Sequence, residues 1–269
     1  VSGFTGNLEL TGTGFTEIGD FSNGSFQGSL TINDNLDLSS INESAFSDNS
    51  FTSLELSGNT SLTIIEPLSF TGNSFSQGVI FTNCPTLQII GKNSFEQANI
   101  SGELDFSGLE SLTDICNGAF NINNLNARVK FGNNSKLQIL DNNSLQNCQI
   151  TGLLDLSPLT SLTKIGKNTF RDNSINDKVI FENCLSLNLI DERAFDAAGI
   201  SGEVDFSGIG AFTISYEAFL NNPNIIRYVF NDNSGTIIGI NVDPSMNGVS
   251  SSGTGSPPIT WNNSGFDIS

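Results

Sequence analysis

The chain has 269 residues, 37% of them apolar, which is enough for a core and too apolar for a disordered chain despite the many Asn, Ser and Gly residues. Ten Lys and Arg stand against 28 Asp and Glu, and the net charge of −18 repels phosphate backbones and anionic membrane surfaces, so nucleic-acid binding is not expected. Histidine is absent, which excludes Ser-His-Asp and Cys-His catalysis and every His-based metal site, because those chemistries need an imidazole near neutral pH.

Val1 does not begin a signal peptide and no apolar run reaches the roughly 18 residues of a membrane span, so the chain is expected to be a mature segment without direct membrane insertion. From its first residues onward it repeats itself. Two apolar residues flank a variable one, and further apolar residues follow at +6, +9 and +14 from the second of the pair. Leu104 and Phe106 are followed by Leu112, Ile115 and Phe120, and Val129 and Phe131 by Leu137, Leu140 and Leu145. In chain order the second residue of each pair is Leu10, Ile32, Leu56, Phe81, Phe106, Phe131, Leu156, Phe181, Phe206 and Phe230, spaced 22 to 25 residues apart. The first unit is read as irregular, with extra residues between Ile18 and Phe26, and the pattern fades after Ile240.

Each apolar pair is too short for an isolated strand, but stacked copies can pair as one parallel sheet at about 4.8 Å per coil, with the middle residue facing out. The expected fold is therefore mostly β and irregular: a solenoid of about ten coils of about 25 residues with one stacked parallel sheet. Three residues beyond each pair, Asn35, Asn59 and Asn134 are placed to satisfy turn backbone, while Cys84, Leu109, Leu159 and Cys184 are read as space-filling.

The order L-x-L-x-x-N/C is the core of the leucine-rich repeat. The segments "INESAF" at Ile41, "IGKNSF" at Ile90, "IGKNTF" at Ile165 and "IDERAF" at Ile190, with "SLQNC" at Ser144, resemble the BspA-like branch of that family over residues 6 to 240. The resemblance implies a right-handed solenoid of the α/β horseshoe class, and a bacterial or protist surface protein that binds host matrix proteins, other cells or glycans. It implies no cofactor and no catalytic residue.

Phe26, Phe46, Phe70, Phe95, Phe120, Phe170, Phe195 and Phe219 recur at one coil position and are expected to form a buried aromatic spine, Leu145 being the one substitution. A second apolar column runs through Phe51, Phe75, Ile100, Leu125, Ile150, Ile175 and Ile200. Cys84 and Cys184 lie four coils apart and Cys116 and Cys148 at unlike coil positions, so four reduced, mostly buried thiols are expected.

The outward face of the stacked strands is where a ligand-binding surface is expected: Glu103, Asp105, Arg128, Lys130, Asp155, Lys178, Glu203, Asp205 and Arg227. Cross-strand pairing of opposite charges explains the alternation of acidic and basic coils without any partner. A mixed-charge platform for a protein or glycan on a host or neighbouring cell explains it as well. Paired carboxylates on such a scaffold could also serve polysaccharide processing, with Asp105, Asp155 and Asp205 available. Those acids recur with the repeat, however, whereas a catalytic site needs unique chemistry in one place. No calcium loop of the D-x-[DN]-x-[DN]-G type is found. Residues 1–240 are expected to form the solenoid of an extracellular or cell-surface monomer, and 241–269, with the only Trp at Trp261, a C-terminal cap or a linker.

Overall fold

The structure, a computed structural model, describes residues 5–210, 212–215 and 217–229. The chain winds through about nine turns of about 24 residues each, every strand pairing is parallel, and no helix occurs among the described residues. Phe230, Ile240 and the segment 241–269 lie outside the described residues.

The expected strand column is present in the expected register. Leu10 pairs with Ile32, Ile32 with Leu56 and Leu56 with Phe81; further along, Val129 pairs with Leu104, and Val179 with both Leu154 and Val204. The strands are hydrogen-bonded in ladders of four, two and four. They are longest near the N-terminus, at Gln27–Asn33 and Ser50–Ser57, and shrink to two residues at Leu104–Asp105 and Val129–Lys130.

One stacked sheet is not the whole architecture. A second column of nine two-residue strands runs from Glu17–Ile18 to Thr213–Ile214, with Ile41, Ile65, Ile90, Ile115, Leu140, Ile165 and Ile190 pointing inward from it. These are the +9 residues of the template. Two-residue strands carry no alternation to read, so only their recurrence marks them.

The return segment of each coil is built from turns where a horseshoe helix might stand, and the backbone explains why. Ser44, Leu68, Asn93, Gly118, Asn143, Asn168, Arg193 and Glu217 all sit at φ between 53° and 65°. A residue in the left-handed region interrupts a right-handed helix. Here the turn is held from outside: Phe46 N–H donates to Ser69 O at 2.8 Å, Phe70 to Ser94 at 2.7 Å and Phe95 to Ala119 at 2.7 Å, always to the next coil.

The core is one continuous cluster running the length of the stack. Phe46, Phe70, Phe95, Phe120, Phe170, Phe195 and Phe219 are buried in it, and Phe70 stacks on Phe95 at 4.8 Å and Phe95 on Phe120 at 5.0 Å. The first member of the spine is Phe21, not Phe26. Phe21 stacks on Phe46 at 5.3 Å and 6°, whereas Phe26 stacks on Phe51 at 5.5 Å and 9° and so heads the second apolar column. The first coil is shortened after Ile18, not lengthened: Phe21 follows Ile18 by three residues, where Phe46 follows Ile41 by five.

Buried amides tie the coils together along two lines. Asn73 Nδ2 donates to Phe46 O at 2.8 Å and to Phe70 O at 3.0 Å, one bond to the preceding coil and one within its own; Asn123, Asn173 and Asn222 repeat the pair. On the other line Asn35, Asn59 and Asn134 donate to Leu10, Ile32 and Phe106 carbonyls at 2.7, 2.7 and 3.0 Å. The cysteines do more than fill space. Cys148 Sγ donates to Phe120 O at 2.9 Å and Cys184 Sγ to Leu156 O at 3.1 Å, each substituting a weak donor for an amide of its line. All four thiols are free; burial pushes Cys148 and Cys184 up to about 12 and half-buried Cys116 up to about 11, which leaves them unreactive at neutral pH.

Candidate binding surface

Along the first strand column the inward residues fix the backbone and the pleat turns the alternate ones out. The register places Asp105 beside Lys130, Asp155 beside Ile180, and Glu203 and Asp205 beside Arg227 and Val229. The nine predicted residues therefore share one face, Glu103, Asp105, Arg128 and Lys130 in one group and Lys178, Glu203, Asp205 and Arg227 in another, with Asp155 on the coil between them.

In the first group Lys130 Nζ reaches Glu103 Oε1 at 2.6 Å, diagonally, and not its direct neighbour Asp105. The reason is local. Asp105 Oδ1 accepts the backbone N–H of Ser107 at 2.8 Å as well as the Ser107 hydroxyl, closing the turn that leaves the strand. Asp155 does the same with Ser157 N and Oγ at 2.9 and 2.5 Å, and Asp205 with Ser207 N at 2.8 Å. The three aspartates thus hold turns, a role not foreseen from the sequence although the D-x-S spacing announces it. The hydrogen bond and charge of Glu103 raise the Lys130 ammonium above its ordinary value.

In the second group Glu203 is clamped from both sides, by Lys178 Nζ at 3.0 Å and Arg227 Nη2 at 2.5 Å. The Lys178 hydrogen bond first, and then Arg227, hold its carboxyl below the usual range. In the first group, two residues before Lys130, exposed Arg128 has no carboxylate partner among the described residues and lies across Gly152 of the next coil. Ile80, 54% exposed, is an apolar member of the same outward column, as are Ile180 and Val229.

Charge pairing also occurs where sequence reasoning did not look. On the return side Lys167 pairs with Glu192 at 2.9 Å, Arg171 with Asp196 at 3.3 Å and Arg193 with Glu217 at 2.5 Å. Each joins equivalent positions of successive coils, so a scan of every coil position for alternating charge would have found them. Every ion pair among the described residues involves residues from Glu103 onward.

Among the described residues no cluster of three or more His, Cys, Asp or Glu side chains is arranged to hold a metal ion, and no helix is long and apolar enough to cross a membrane. A family model described as BspA type leucine rich repeat region matches the chain in six copies, over residues 7–126 and 88–226. No curated protein matches the chain.

Proposed function

Because the chain belongs to the BspA-type leucine-rich repeat family, we propose that it is a noncatalytic, extracellular module that binds a protein on a host or neighbouring cell surface through the first strand column. The observation that carries this reading is Arg128, an exposed cation with no carboxylate partner among the described residues, standing beside the Glu103–Lys130 pair on one regular face. Ion pairing accounts for Glu103, Lys130, Lys178, Glu203 and Arg227, and turn closure accounts for the aspartates. Neither accounts for Arg128. A surface of both signs favours a partner of complementary mixed charge, and such complementarity sets encounter rate and register more than raw affinity.

The noncatalytic part of the reading is supported by Asp105, Asp155 and Asp205 each being bonded to the serine two residues on, which gives all three one structural job. The surface location follows the habit of proteins with such repeats. Adhesion of the purified protein to cultured cells or to a layer of extracellular matrix tests the proposal. Arg128→Glu is expected to reduce saturable binding about tenfold, roughly 1.4 kcal/mol, while Lys167→Glu on the return side leaves it unchanged. Equal binding by both variants would reject this face, and turnover of a polysaccharide by the wild type would reject the noncatalytic assignment.

A further inference from the structure

We propose that Asn23 is a site of spontaneous deamidation, and that backbone hydrogen bonds made by the following residue's nitrogen, within a turn or to a neighbouring coil, suppress the same reaction elsewhere among the described coils. The reaction needs the backbone nitrogen of the following residue as nucleophile. Gly24 N attacks Asn23 Cγ, the bond from Cγ to the side-chain nitrogen breaks, and ammonia leaves with the proton lost from Gly24. Water then opens the succinimide at either carbonyl to give aspartate or isoaspartate. No oxidant or cofactor is required.

Asn followed by Gly or Ser is the susceptible sequence, because a small following side chain leaves the nitrogen accessible. Such pairs are frequent in this chain, and the structure separates them by what that nitrogen is doing. Gly118 N, after Asn117, donates to Asn142 O of the next coil at 2.9 Å. Among the described residues the serines that follow an Asn are also held, some to a neighbouring coil and some within their own turn: Ser50, Ser74, Ser94, Ser135, Ser144 and Ser174 all donate their N–H to backbone carbonyls at 2.7 to 3.3 Å. A nitrogen so bonded must first break its bond and leave the turn before it can reach the carboxamide.

Gly24 is different. Its N–H has no acceptor among the described residues, the Asn23 carboxamide makes no hydrogen bond there, and both residues are exposed. Asn23 is anchored only at its own N–H, which donates to Ser47 O at 3.0 Å. Gly24 packs directly against the Phe26 ring, leaving no room for a side chain, so the susceptible pair is also the one the turn requires. The product would add a carboxylate to coils that hold no Lys or Arg between residues 1 and 91. An isoaspartate would also lengthen the backbone between Phe21 and Phe26, the heads of the two stacked columns.

Peptide mapping of the purified protein, aged in mildly alkaline buffer, with enzymatic detection of isoaspartate, tests this. In the native protein Asn23 is expected to deamidate at least about tenfold faster than Asn117, the factor for a local opening free energy of about 1.4 kcal/mol. In concentrated urea Asn23 and Asn117 are expected to react at similar rates, and Asn23→Gln removes the native isoaspartate signal from the peptide that contains residue 23. Equal native rates at Asn23 and Asn117, or an Asn23 that reacts only in urea, would overturn the proposal.

Discussion

The coils up to residue 91 and those after it are built on one plan and handle charge differently: both are net acidic, but only the second part holds cations to pair with its carboxylates. The first part holds nine carboxylates, Glu9, Glu17, Asp20, Asp34, Asp37, Glu43, Asp48, Glu55 and Glu66, and no Lys or Arg. The second carries every ion pair among the described residues. Yet Phe70, between Phe46 at 5.4 Å and Phe95 at 4.8 Å, and Phe195, between Phe170 at 5.0 Å and Phe219 at 4.8 Å, occupy nearly the same environment. Inward stacking and backbone ladders therefore suffice to hold a coil, and the outward charge is free to differ. The acidic part also has the longest strands, Gln27–Asn33 and Ser50–Ser57, whose added backbone bonds offset like-charge repulsion.

The comparison breaks first if the two parts do not share a core. Phe70→Ala and Phe195→Ala are each expected to cost about 3–5 kcal/mol, because each removes a fully buried ring from between two others. Denaturant unfolding of the two variants checks this; a much larger loss for Phe195→Ala would mean that ion pairs hold the second part together.

A smaller effect, of opposite sign, is expected at Ile122. This β-branched residue sits at φ 57° in a position that Gly72 fills one turn-pair earlier, and its side chain is 43% exposed, so it suffers left-handed strain while burying little. Ile122→Gly is expected to raise stability by about 1 kcal/mol, less whatever the added chain entropy of glycine removes. A loss would show that the apolar contact outweighs the strain.

The smallest effect sharpens the electrostatic contrast. Glu203 has its pKa lowered in the folded protein from an ordinary value of 4.5. Its pairing with Lys178 and Arg227 therefore contributes fully above that value and is lost as the pH falls through the depressed folded value. Below about pH 4.5, hydrogen exchange is expected to quicken in Arg227–Val229. The strand Gln27–Asn33, which holds no ion pair, is expected to respond much less.

Much of this architecture was legible in the residues themselves, for a physical reason: a solenoid repeats its core, so Leu10, Ile32, Leu56 and Phe81 announce one position many times over. What escaped lies where repetition is thin or local. Phe26, expected at the head of the spine, heads the other column instead: Phe21 and Phe26 are five residues apart, the same separation as Phe46 and Phe51, and only the shortened path from Ile18 tells the columns apart. The second strand column hides because a two-residue strand such as Lys164–Ile165 shows no alternation. On the candidate face the charge alternation was visible, but not that Asp105 and Asp155 would turn to Ser107 and Ser157 and leave Lys130 to Glu103. The D-x-S spacing announces the turns, but the diagonal reach of Lys130 to Glu103 depends on side-chain rotamers, which spacing does not encode.

The central proposal is that the first strand column, besides pairing its charges within the fold, presents them as a mixed-charge face to a partner. Exchanging one pair, Glu103→Lys together with Lys130→Glu, keeps the net charge and the ion pair while reversing the pattern the face presents. The account predicts an unchanged unfolding midpoint and a loss of saturable binding to the cell or matrix surface. Undiminished binding, or a midpoint that falls with it, would contradict the account.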